Sequence, residues 1–114
     1  MTSEQRRFAL TKANTVRLAH AQLRAEIASS GRFGARIAAE HIKAADTSMT
    51  FGRLVCAIHQ IGDTIMRRML GNAGISPIEH VDSQHVAPRR RQTLVGELVA
   101  YAFAGEHRKR RGEV

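Results

Sequence analysis

The sequence predicts an all-α protein of about five helices, in which a long N-terminal helix precedes a compact helical core. Three observations carry this. Apolar residues recur at three- and four-residue intervals in several windows, as one buried helix face requires. No alternating apolar–polar run is bounded by turn residues, so no strand is expected. The periodic windows are separated by capping residues, glycine or proline, at Ser29-Ser30-Gly31, Asp46-Thr47-Ser48, Ile61-Gly62 and Ser76-Pro77.

The first helix should cover residues about 4 to 29. Val16, Leu23 and Ile27 give it a narrow apolar stripe, with Arg6, Arg7, Lys12, Arg17 and Arg24 spread around it. A second, near residues 33 to 45, places Ile37, Ala38, Ile42 and Ala45 on one face. A third, near residues 50 to 60, has Phe51, Leu54, Val55 and Ile58 in register. The chain must then reverse at Ile61-Gly62, where Gly62 is free to take a positive φ. A fourth helix, near residues 63 to 72, carries Ile65, Met66, Met69 and Leu70. Pro77 disfavours helix at Ser76, and residues 78 to 87 read as a polar loop anchored by Val81 and Val86. Pro88 suits the first turn of a fifth helix, with Leu94, Val95, Leu98, Val99, Ala102 and Phe103 on one face. The expected organisation is a basic helix at residues 1–31, a helical core at 32–104 and a basic disordered tail at 105–114. The tightest packing is expected between about 50 and 104, with the N-terminal arm packing only in part.

With 114 residues, one domain is expected. The single cysteine, Cys56, allows no internal disulfide and suits a reducing interior such as the bacterial cytoplasm. Its place beside the third helix's stripe marks it as a small buried hydrophobe. No run of about 18 apolar residues occurs, so no membrane span is expected, and MTSEQRRFAL is not expected to act as a secretory signal. The net charge of +8 points to polyanions, nucleic acid first. Phe8, Phe33, Phe51, Tyr101 and Phe103 are the only aromatics, and they occupy core-like positions. That disfavours a base-stacking platform and leaves phosphate contact on a duplex.

Candidate contacts follow from charge and helix ends. A helix starting after Gly62 exposes free N–H groups that attract anions, with Arg67 and Arg68 one turn on. A plain helix–helix turn, with Asp63 capping its own helix, accounts for the same residues. Arg89, Arg90 and Arg91 open a helix, where cations oppose the dipole. Phosphate binding would explain that placement; a solvated basic end is the other reading. The run Arg108, Lys109, Arg110, Arg111 resembles arms that lie along DNA, or serves solubility. The arginines of the first helix offer a second DNA surface or a solvated face. Six scattered histidines show no His-x-x-x-His, and no Cys-x-x-Cys occurs, so neither a metal nor another cofactor is expected. No base is designated for Cys56 and no Gly-rich loop ends in Gly-Lys-Ser/Thr, so an enzyme is not expected.

The order Leu54-x-x-x-Ile58-x-x-Ile61-Gly62, an Ile/Met-rich helix, then Gly74-Ile75-Ser76-Pro77 resembles the actinobacterial integration host factor family. VRLAHAQLRAEIASSG is similar to the family's preceding basic helix, and PRRRQTLVGELVAYAF to its last one. The resemblance spans about residues 16 to 103 and is strongest at 51 to 77. It implies a helix–two-turn–helix core, shared with a small-subunit ribosomal protein and some DNA-repair glycosylases. It also implies a monomeric, nucleoid-associated protein that binds duplex DNA without sequence preference, bends or compacts it, and assists an integrase-type complex in phage integration. By position the turn contributes Gly62, Thr64 and Arg67, and the following loop Glu79, His80 and Asp82. The loop departs from the family: acidic residues stand where relatives are basic, and it is about two residues longer. Asp63 departs likewise, where relatives often carry lysine. The family's contact is then weakened, moved to Arg89, Arg90 and Arg91, or replaced. The alternatives are an RNA- or ribosome-associated helical protein, and a protein-interaction module that has lost DNA binding.

Overall fold

The computed structural model describes residues 2–112, with side chains described for residues 2–104. Its helices are α1 (Ser3–Ser29), α2 (Gly34–Ala44), α3 (Phe51–Cys56), α4 (Asp63–Ala73) and α5 (Pro88–Gly112). A 3-10 turn, Gly31–Phe33, links the first two. Among the described residues no strand forms, only an isolated antiparallel bridge between Thr50 and His80. No described helix is long and apolar enough to cross a membrane. The segment expected as a separate tail begins within α5, whose backbone runs on to Gly112.

A capping box starts α1. The Thr2 hydroxyl accepts from the Gln5 amide at 3.2 Å, and the Gln5 side chain accepts from the Thr2 amide at 3.0 Å. From residue 2 to 22 every side chain except Ala13 and His20 is exposed. Only the end of α1 meets the body, where Leu23 is partly buried and Ile27 fully so. Ile27 therefore belongs to the core, upstream of the boundary expected at residue 31. The long arm stretches the molecule to 66 × 29 × 23 Å.

The centre of the packing is α2 against α5. Ala35, Ala38 and Ala39 are buried on α2, and such small side chains let helix axes approach closely. Leu94 and Leu98 of α5 are fully buried there. The core thus includes α2, as the span 32–104 expects, but the tightest packing is not confined to residues 50 to 104, because alanines carry less sequence signal than the Leu and Ile stripes around them.

The third helix is shorter than the periodicity predicts. Thr50 caps it through Arg53 N at 3.3 Å, but it ends at Cys56. Beyond it the amides of Ile58 and Ile61 bond three residues back, to Val55 O and Ile58 O, each at 3.1 Å. Ile58 and Ile61 stay 2% and 4% exposed, so tight turns satisfy the same apolar spacing that a longer helix would. The positive φ falls at Gln60 (65°), not Gly62, which is extended at φ −89°, ψ −175°. The chain has thus reversed before Gly62, which serves only as the N-cap of α4.

The loop after α4 is part of the core. Gly74 ends α4 at φ 71°, the left-handed stop that glycine favours. Phe51 N donates to Glu79 O at 2.9 Å, Gly52 N to Pro77 O at 3.0 Å, and Val81 N to Met49 O at 2.9 Å. Loop carbonyls therefore satisfy the first amides of α3. Val81 and Val86 are buried as anchors.

The aromatics do not all sit inside. Phe51 is buried, but Phe8, Phe33 and Phe103 are 73%, 52% and 51% exposed. Phe8 lies on the bare arm and Phe33 in the 3-10 turn, outside any periodic stripe. On α5 the core slot goes to Ala102, and Phe103 is rotated off it. Cys56 is also exposed, at the last position of α3, rather than buried.

Candidate nucleic-acid interface

Gly62 caps α4 with backbone alone, since no side chain accepts from the helix's first amides. Asp63 does not act as the cap. Its carboxylate instead accepts from Arg67 Nε at 2.8 Å, an exposed pair worth a fraction of a kcal/mol. The pair has no net formal charge, so Asp63 offsets the attraction that Arg67 offers an anion. Thr64 and Arg68 are exposed on the outward side of α4.

Two arginines from other helices join this end of the molecule. Arg24 of α1 and Arg53 of α3 line a shallow groove of about 380 Å³ with Ala28, Cys56 and Ala57. The Asp63 carboxylate and the Arg67 guanidinium act electrostatically on Cys56 of this groove. Arg53 and Arg24 are both exposed and form no ion pair among the described residues. The result is a concave strip that combines small side chains with two cations. Arg24 is part of the first helix's arginine set; Arg53 carries no signal in sequence beyond lying off the Phe51–Leu54–Val55 stripe.

The Arg89–Arg91 run sits elsewhere, at the far end of α4, roughly 15 Å along an 11-residue helix. Its members have three different fates. Arg89 is exposed. Arg90 donates to Gly74 O at 3.1 Å and so caps the C-terminus of α4. Arg91 turns inward. It bonds Val81 O and Ser83 O, reaches Ile42 O and Val86 O at 3.4 Å, and lies 5.6 Å from the Phe51 ring centre. As a phosphate contact Arg91 is withdrawn: its donors are spent on the loop's own carbonyls. His80 is likewise engaged, with Nδ1 donating to Ser48 O at 2.6 Å. The side chains of Arg108, Lys109, Arg110 and Arg111 lie outside the described residues. Among the described residues the sequence candidates therefore split: Gly62, Thr64, Arg67 and Arg68 belong to the start of α4, and Arg90 caps its end.

The Cys56 thiol is a built-in reporter of this strip. Partial burial pushes its pKa above the usual thiol value, the Asp63 carboxylate pushes the same way, and Arg67 opposes both. A raised pKa means less thiolate at neutral pH, so iodoacetamide should react more slowly than with an unfolded peptide thiol, the gap closing as pH rises. Asp63→Asn removes one upward push and leaves Arg67 unpaired, and should speed the reaction at pH 7.5 by a few-fold. An unchanged rate would mean that the two side chains do not sense each other.

Among the described residues, no three His, Cys, Asp or Glu side chains converge as metal ligands. His41 pairs with Asp46 at 2.8 Å and His20 with Ser48 at 2.9 Å, contacts that tie the loop after α2. Compared with known proteins, the chain matches no family model, no curated protein and no solved structure.

Proposed function

We propose that this protein binds duplex DNA through phosphate contacts, without sequence preference, as an architectural protein of the integration-host-factor type acting in the nucleoid. The observation that carries the reading is the meeting of Arg24 of α1 and Arg53 of α3 in one groove. Two arginines on a shallow strip suit a phosphate backbone, the contact that positions a duplex without selecting its sequence. The net charge of +8 supports the same partner. In this reading α3, its turn and α4 form the helix–two-turn–helix unit. The acidic loop does not carry the contact, because the Glu79 and Asp82 carboxylates repel phosphate and His80 Nδ1 is engaged by Ser48 O. Bending, compaction and help to an integrase-type complex belong to the proposal as consequences of such a grip.

The test is anisotropy of a random-sequence duplex of about 20 base pairs across a salt series. Log affinity should fall linearly with log salt as counterions are released. The double variant Arg24→Glu, Arg53→Glu should weaken binding roughly 10- to 100-fold and flatten the salt slope by about two. Saturating duplex should also shield Cys56 from iodoacetamide. If the charge reversals leave affinity and alkylation unchanged, the strip is not the interface.

A further inference from the structure

A second surface, sharing no residue with the Arg24–Arg53 strip, has a different chemistry. Phe33 and Phe103 come from the 3-10 turn and from α5, and each shows half of its surface to solvent. The Arg36 guanidinium of α2 lies over both rings, 5.3 Å from one centre and 5.7 Å from the other. The base of this face is held in place. Arg32 lies 4.3 Å over the Tyr101 ring, and the Tyr101 hydroxyl donates to His59 O at 2.8 Å, so the 3-10 turn is fastened to α5. The nearest acid on α2, Glu40, is one turn beyond Arg36 and paired with Lys43 at 3.5 Å.

Burying a phenyl side chain is favourable, so two displayed rings forgo a sizeable gain. An apolar peptide could cover rings, but it would leave Arg36 desolvated without a counter-charge. A duplex could meet Arg36, but it keeps the faces of its bases stacked inside. A single strand offers both partners at once, flat bases for the rings and phosphates for the guanidinium. We infer that Phe33, Arg36 and Phe103 form a stacking site for single-stranded nucleic acid. The backbone that carries Phe33 is fastened to α5 through Arg32 and Tyr101, which limits the order lost on binding.

The experiment compares a fluorescein-labelled oligo-dT of about 15 nucleotides with a duplex, by anisotropy on the full chain at one salt concentration. Phe33→Leu and Phe103→Leu keep apolar bulk and remove the π face. Each should weaken oligo-dT binding roughly 5- to 100-fold, the range for one stacked base, and leave duplex affinity within two-fold. Arg36→Gln should weaken oligo-dT binding and flatten its salt dependence. Because the chain has no tryptophan, Phe33→Trp supplies a single indole whose emission should be quenched as bases stack on it. Leucine variants that hold oligo-dT as tightly as the parent would overturn the inference, as would an unquenched indole. Equal losses on both nucleic acids would overturn it too, since one shared surface would then serve both. A parent chain that binds no oligo-dT would leave the face to a protein partner, whatever the duplex result.

Discussion

Replacing Arg91 by alanine should cost about 3–4 kcal/mol of stability and lower the melting temperature by roughly 12–20 °C. Its guanidinium is half-buried and donates to carbonyls on α2, the loop and the approach to α5, at Ile42, Val81, Ser83 and Val86. Each hydrogen bond from a charged donor is worth about 1.5–3 kcal/mol, though they do not add in full. Removing the donor also strands those carbonyls, and it releases the face of Phe51. Lysine would not rescue the loss, because one ammonium cannot span four acceptors on a fixed fork. Arg90→Ala is the control. That side chain is exposed and reaches only Gly74 O, so its removal should cost about 1 kcal/mol or less. Urea melts of the two variants decide the point. Equal, small losses would mean that the loop holds itself in place without Arg91.

Gly34→Ala should destabilise by about 1–3 kcal/mol although it puts a better helix former into a helix. Gly34 opens α2 with φ −54°, which any residue adopts, so conformational strain is not the issue. Space is. A methyl there would press on Ile27 O and come within 3.0 Å of Ile27 Cγ2. The carbonyl belongs to the backbone of α1 and cannot swing aside like a side chain. The propensity gain is at most about 1 kcal/mol, and overpacking a filled site typically costs more. Gly96→Ala inverts the balance. Nothing lies within 4 Å of a methyl at that exposed position in α5, so it should stabilise by about 0.5–1 kcal/mol. Thermal melts should therefore move in opposite directions, and a stabilised Gly34→Ala would mean that α1 and α2 can separate freely.

The helices were legible because their apolar residues keep helical spacing, and the stops at Gly74 and Pro77 use chemistry visible in one residue. The end of α3 was not legible: Ile58 and Ile61 continue the pattern, and only tertiary hydrogen bonding reveals that turns satisfy it. The candidate contacts were less legible still. Arg89, Arg90 and Arg91 are identical in sequence, yet one faces solvent, one caps a helix and one is structural, according to which carbonyls lie within reach. Arg24 and Arg53 are 29 residues apart, and nothing local announces that they share a groove. The phenylalanines misled because an aromatic in or beside an apolar run ordinarily faces the core, whereas here small alanines take the closest positions.

The six residues of α3 bear on the order in which the chain assembles. A helix that short does not persist alone in water. Its opening amides find their acceptors at Pro77 and Glu79, far along the chain, so α3 gains its partners only after α4 has folded back. It is a product of closure and cannot seed it. The earliest structure must then grow from other pairings, and the loop between α4 and α5 becomes the mould in which α3 is cast. Substitutions at residues 77 to 81 should accordingly act on the speed of folding, while changes in the helix propensity of α3 act after the rate is set.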